Sequence, residues 1–139
     1  MEQVQQKNFE IVSIGIKAHP DEVFDYVANG KNLPEWTDFF KEADNSSAII
    51  VTSQGELKVA METVLNKELG VIDTIIEMPD GTKNYSWSRV SGNKHGRESV
   101  FSFTLIAPPL PPDALDKFLA KQKSQLEEEL RSLKSILEN

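Results

Sequence analysis

No cysteine occurs anywhere in the 139 residues. That excludes disulfides, thiol catalysis and thiolate metal sites together, and it suits a reducing compartment, so the cytoplasm is the expected location. Histidine is almost as scarce. His19 and His95 fall in separate turns with no HExxH-like spacing near either, which gives no basis for a metal site. The chain also lacks a GxGxxG run and the GxxxxGK run that cradles phosphates, so neither a dinucleotide nor a nucleoside triphosphate is expected and no cofactor is implied. Long apolar runs are missing too: none approaches the roughly 20 residues needed to span a bilayer. The opening MEQVQQKNFE has no basic stretch followed by an apolar one, so no export signal is expected. Positive charge is the minority sign, 15 basic against 22 acidic residues for a net charge of −7. A field of that sign repels phosphate backbones and anionic lipid surfaces, which argues against nucleic acid as a partner.

What is present is the make-up of one globular domain over residues 1–139, with 39% hydrophobic and 27% charged residues and no low-complexity tract or internal repeat. Phe9 to Lys17 alternates, with Val12, Ile14 and Ile16 on one side, the period of a half-buried strand. His19-Pro20-Asp21-Glu22 then starts a helix, proline fitting its first turn and the acids its positive end; Val23, Phe24 and Val27 form the buried stripe. Asn29-Gly30 ends it, and Asn32-Leu33-Pro34-Glu35 opens a second short helix expected to carry Trp36, Phe39 and Phe40. Five strand-like segments follow, Ala48–Ser53, Leu57–Leu65, Val71–Met78, Lys83–Val90 and Ser99–Ala107, with Pro79-Asp80-Gly81 the clearest hairpin turn. Sequential strands joined by short turns imply an antiparallel meander. The prolines from Pro108 to Pro112 stop the last strand. A helix of roughly 40 Å should then run to about Glu138, its apolar stripe passing through Leu115, Leu119, Gln122, Leu126, Leu130, Leu133 and Leu137, widened by Phe118 and Ile136. Its charged outer face, with a Glu127 to Arg131 pair at four-residue spacing, reads as a solvated surface.

The segment Ile14–Trp36, IGIKAHPDEVFDYVANGKNLPEW, resembles the opening of the START-like, or SRPBCC, superfamily, in which a strand ends in an alanine–proline turn, a helix carries a Val-Phe pair and a tryptophan follows. Phe101–Leu137 is similar to the closing strand and helix of small bacterial members, and the polyketide cyclase/dehydrase and lipid-transport branch looks nearest. The resemblance covers nearly the whole chain and implies an α+β helix-grip fold: a curved antiparallel sheet, with two short helices after its first strand, wrapped around the long C-terminal helix with an apolar cavity between them. The fullest versions have six strands after the helices, against the five read here. The motifs are packing motifs. Members include lipid and hormone carriers, aromatic polyketide cyclases, oxygenase domains and activators of a chaperone ATPase, so the architecture alone assigns no chemistry.

In such a fold strand alternation decides which side chains enter the cavity. Leu57, Val59, Met61, Thr63 and Leu65 oppose Lys58 and Glu62, and Ile72, Thr74, Ile76 and Met78 oppose Asp73 and Glu77, which puts the carboxylates outside. Aromatic bulk assigns Tyr85, Trp87 and Arg89 to the inside, with Ser86, Ser88 and Val90 outside; Phe101, Phe103 and Leu105 point inward on the last strand. The expected lining is therefore Trp36, Phe39, Met61, Thr63, Thr74, Tyr85, Trp87, Arg89, Phe101 and Phe103, completed by Phe118 and Gln122 from the long helix. Arg89 would hold a ligand anion if buried, although an arginine near a strand end commonly keeps its head in water, and the aromatics of the short helices serve equally as plain core. Such a lining suits a small hydrophobic ligand of lipid, isoprenoid or aromatic, polyketide-like type. Two alternatives stay open: a cyclase or dehydratase, against which stands the absence of an inward carboxylate or histidine, and a protein-interaction module working through its acidic surface. The exposed face of the long helix leaves room for a homodimer, which the sequence does not decide.

Overall fold

The computed structural model describes residues 7–93 and 95–138. Its first strand, β1 (Phe9–Ile16), is followed by α1 (Pro20–Ala28), a single 3-10 turn over Gly30–Asn32 and α2 (Leu33–Trp36). Six strands then run consecutively: β2 (Phe40–Ala43), β3 (Ser47–Thr52), β4 (Gly55–Asn66), β5 (Val71–Glu77), β6 (Lys83–Gly92) and β7 (Ser99–Ile106). The chain closes with α3 (Pro112–Leu137). All seven strands form one antiparallel sheet in the order β1-β7-β6-β5-β4-β3-β2, so every sequential pair after the short helices is a hairpin and β1 joins from the far end. This is the α+β helix-grip arrangement that the sequence implies. No helix among the described residues is long and apolar enough to cross a membrane.

Local chemistry explains the boundaries. His19 caps α1, its Nδ1 accepting from the Asp21 N–H at 3.0 Å, with Pro20 in the first turn. Asn29 repeats the device for the 3-10 turn, accepting from Lys31. The second helix is shorter than expected. Thr37 leaves the helical region at φ −119°, ψ 151°, its hydroxyl donating to the Leu33 carbonyl and accepting from Phe40 N. That reversal ends α2 at Trp36 and frees Phe40 to begin β2, the sixth strand after the helices that the pattern of hydrophobicity did not show. β2 is only four residues long and carries a bulge between Phe40 and Glu42, which blurs its alternation.

The core lies in three separate clusters. The main one joins Val12 and Ile16 of β1, Val23, Phe24 and Val27 of α1, Trp36, Ile72, Val90 and Phe101 to Leu130 and Leu133 of α3. A second gathers Ala48, Ile50, Val59 and Met61 with Phe39 and Phe40. A third packs Leu115 and Leu119 on Ala107, beside Leu110 and Phe118. Two polar contacts fix the C-terminal end of α3 to β1: Lys134 Nζ donates to the Gly15 carbonyl at 3.0 Å, and Lys17 N donates to Glu138 at 2.8 Å.

Candidate functional site

Register determines which face of the sheet meets α3. Val90 lies opposite Phe101, and both are buried in the main core against the helix. Every second residue shares that face: Ser86 and Ser88 on β6, Phe103 and Leu105 on β7, Ile72, Thr74 and Ile76 on β5, and Val59, Met61, Thr63 and Leu65 on β4. Tyr85, Trp87 and Arg89 therefore point the other way. They lie on the convex face, with Tyr85 48% and Trp87 39% exposed and Arg89 exposed. The expectation that these three line the cavity is overturned, and with it the role of Arg89 as an anchor inside. Bulk is the wrong guide to phase here. A guanidinium is far costlier to bury than an indole is to expose, and the charge rule that puts Glu62 and Asp73 outside gives the right answer when applied to Arg89. On that outer face the Tyr85 and Trp87 rings stack at 5.9 Å, and Trp87 and Arg89 border a shallow recess of about 240 Å³ with Asp73, Ser102 and Thr104.

On the helix-facing side several central side chains keep solvent contact. The densest backbone approach of α3 is to β1, with a smaller one to α2, while Ile72 of β5 and Val90 of β6 share the main cluster with Leu130 and Leu133 of the helix. Thr63, Thr74, Ile76, Ser86, Phe103 and Leu105 face it yet are only half-buried, and Leu65 is 45% exposed. These residues floor a trough between the three core clusters. Gln122 lies on the helix stripe between Leu119 of one cluster and Leu126, which packs on another, and is half-buried as well.

One cross-sheet row gives the trough its polarity. Glu10, Leu105, Ser86, Thr74 and Thr63 are directly paired from strand to strand across β1, β7, β6, β5 and β4. At about 4.8 Å between strands, the three hydroxyls span roughly 10 Å. Among the described residues none of these hydroxyls has a hydrogen-bond partner, nor has the Gln122 amide. Ser88, next along β6, is already satisfied by the Ile72 carbonyl. Glu10 is the one ionisable side chain on the helix-facing side of the seven strands among the described residues. Its side chain is 14% exposed, and Oε1 lies 3.2 Å from Lys7 Nζ. The sequence pattern shows no carboxylate here when the β1 alternation is begun at Val12; carried back one step, the same period places Glu10 inside.

The remaining expected lining residues divide between trough and core. Thr63 and Thr74 are in the row, Phe103 is in the floor, and Gln122 faces it. Trp36 and Phe101 are core, 8% and 1% exposed, meeting edge to face at 6.1 Å. Phe39 and Met61 belong to the second cluster, Phe39 edge-on to Phe40 at 5.0 Å, and Phe118 sits beside the third.

A second carboxylate is hidden in the charge run of α3. Glu129 is 6% exposed, accepting from Asp38 N at 3.0 Å and from the Gln125 amide at 3.2 Å. It braces the α2–β2 connection against the helix, at the edge of an open cleft of about 360 Å³ that Trp36, Asp38, Glu128, Arg131, Ser132 and Ser135 also line. That cleft is charged and hydroxyl-bearing, the wrong chemistry for an apolar molecule. Burial raises the Glu129 carboxyl above the usual carboxylate range; the Asp38 charge pushes the same way, and the backbone N–H groups of Asp38 and Phe39 and the Gln125 amide oppose it. Between the unfolded and the raised folded value the native state binds more protons than the unfolded chain, so stability falls as pH rises through that window. Relative to Glu129→Gln, the parent protein should thus lose stability as pH is raised above the ordinary carboxylate value of about 4. Urea unfolding at stepped pH measures this, and a difference that does not change with pH would contradict it.

No protein-family model and no curated protein matches the sequence. Solved structures do. A START superfamily protein from Mycobacterium smegmatis aligns with TM-score 0.70 and 12% identity over 94% of this chain and 97% of its own. The Zhui aromatase/cyclase from a Streptomyces species gives TM-score 0.70 and 12% identity over 94% and 93%. The Aha1 dimer from Colwellia psychrerythraea gives TM-score 0.65 and 20% identity over 94% and 96%. The fold is START-like. At these identities the likeness speaks for architecture, and the three neighbours differ in what their names attach to it, so the trough of this START-like chain has to be read from its own residues.

Proposed function

We propose that this protein binds a small, predominantly apolar ligand in the trough between the sheet and α3, with the cytoplasm, which suits a cysteine-free chain, as its place of work. The observation that carries the proposal is the row of helix-facing side chains on the central strands left half-buried, where the densest backbone approach of α3 is to β1 at the sheet edge. A native interior is ordinarily packed to crystal-like density, and side chains on the inner face of a sheet that keep solvent contact mark space for something else. The floor is mainly aliphatic and aromatic with a few convergent polar groups, the usual composition of a small-molecule site.

The test is titration with a neutral solvatochromic dye such as Nile red. Saturable binding should be seen with the parent protein, and Thr74→Trp, which places an indole in the middle of the floor, should weaken it about tenfold or more. Val64→Trp, on the exposed convex face of the neighbouring strand, should leave it unchanged. Equal losses in both variants, or no saturable binding at all, would remove the proposal.

An acid–base enzyme of the cyclase or dehydratase kind is favoured by one specific observation, the inward carboxylate of Glu10 in one cross-strand row with three hydroxyls, Leu105 standing between it and the first. A general base must lie within hydrogen-bond reach of the proton it takes, and Glu10 is the group on the sheet that fits. Loss of turnover of a poly-carbonyl substrate in Glu10→Gln with dye binding retained would favour that reading over simple carriage.

A further inference from the structure

We infer that the ligand's polar end is an uncharged hydroxyl, aliphatic or phenolic, received by Glu10 and the hydroxyl row, and that a carboxylic acid of the same shape is rejected. The inference rests on the trough being the binding site. What selects the head group is the set of charges on the floor. An anionic head group needs a paired cation or a cluster of donors once it leaves water, and the helix-facing side of β1–β7 offers no arginine, lysine or histidine among the described residues. Glu10, its one charge, has the wrong sign. Lys7 already stands 3.2 Å from Oε1 and is 54% exposed, so the pair is balanced at the rim; an incoming carboxylate would have to take Lys7 from Glu10 and leave that acid facing it.

An ammonium fails for the reciprocal reason. The Lys7 cation already compensates Glu10, and a second one would bring an unbalanced positive charge into a half-buried place. A hydroxyl meets neither obstacle. Its proton can go to Glu10, a carboxylate having lone pairs to spare beyond the one Lys7 uses. A second oxygen of the ligand can accept from Ser86 or Thr74, whose hydroxyls rotate to donate or accept as required. Leu105 sits between Glu10 and Ser86 in the same row, so an apolar carbon must separate two such contacts, and a molecule bearing oxygens at intervals along a carbon frame would use the row more fully than one with a single head.

The experiment is displacement of bound Nile red by decanol, decylamine and decanoic acid, which share a chain and differ at the head. Decanol should displace the dye at a concentration about tenfold or more below that of the acid, with the amine also weaker than the alcohol. In Glu10→Gln the unpaired Lys7 cation becomes available to the acid, and the gap between alcohol and acid should close to about threefold or less. Glu62→Gln, on the exposed convex face opposite Ile75, should leave the order untouched, and circular dichroism checks that each variant is folded. Acid binding as well as alcohol, amine binding best, or an order unaltered by Glu10→Gln would each overturn the inference while the trough still stands. Absence of saturable dye binding would instead remove the trough reading itself.

Discussion

Gly70→Ala is expected to be among the most destabilising single substitutions in this chain, at on the order of 4 kcal/mol or more, a size reached only when a named structural requirement is broken. Gly70 closes the turn between β4 and β5 with φ +72°, and a Cβ built there would lie 1.9 Å from the Val90 carbonyl oxygen. The left-handed backbone alone would cost an alanine about 1–2 kcal/mol. The clash adds more because neither side can yield cheaply: Val90 N donates to the Gly70 carbonyl at 2.8 Å, and the Val90 side chain is 6% exposed in the main core. Moving the turn away therefore breaks the first β5–β6 contact or drags Val90 from under Phe101. Gly81 provides the control. It has φ +90° in the β5–β6 turn, and a Cβ there would meet nothing within 4 Å, so Gly81→Ala carries the conformational cost of about 1–2 kcal/mol and no clash. Chemical denaturation of the two variants should separate them by about 2 kcal/mol or more; equal losses would show that Val90 does not constrain the turn.

The same residue shows how much of this fold is legible in the amino-acid order. Short-range signals suffice for the helices and most strands: the proline and acids after His19, the Pro79-Asp80-Gly81 hairpin, and the three-four spacing of leucines in α3 each rest on chemistry within a few residues. What Gly70 meets is twenty residues away, and nothing local announces that its missing Cβ is the space occupied by Val90. β2 escapes notice for a related reason. Four residues with a bulge cannot display a period of two, and Phe39 and Phe40 fit a helical stripe as well as a strand until Thr37 is seen to bond back to Leu33.

The site divides along the same line. β4 and β5 are phased correctly from sequence because each sets carboxylates against apolar residues, leaving one economical choice. β6 sets two aromatics and an arginine against two serines and a valine, so bulk and charge disagree, and the burial of Val90 opposite Phe101 decides it. A consequence is that the polar row is invisible as a row: bulk assigns Ser86 outside, and Glu10 lies one step before the strand's apolar run. Glu129 is harder still. In Glu127-Glu128-Glu129 no local feature marks the third acid, and it is buried because the end of α2 presents the Asp38 N–H at that height on the helix.

Phe101→Ala should cost about 3–5 kcal/mol, the range for removing a buried phenylalanine whose surroundings cannot collapse. Phe101 is 1% exposed, lies between Ile14 and Val90 on its neighbouring strands, and carries the edge-to-face contact with Trp36. It thus joins the sheet to α2 and, through the main cluster, to Leu130 and Leu133 of α3. Sequence reasoning places Phe101 among the lining residues, and the two roles predict different outcomes. A lining residue can be shortened at small cost to stability with a change in which ligands fit, because one side of it already faces open space. A residue packed on every side leaves a void that its neighbours fill only in part. Phe101→Leu, which keeps most of the apolar volume, should recover much of the loss but not the aromatic pair, worth about 0.5–1.5 kcal/mol. Urea unfolding gives the energies, and the near-ultraviolet circular dichroism of Trp36 reports whether its ring has lost a fixed neighbour. A Phe101→Ala protein within about 1 kcal/mol of the parent would return Phe101 to the trough and shift the boundary between core and site toward the short helices.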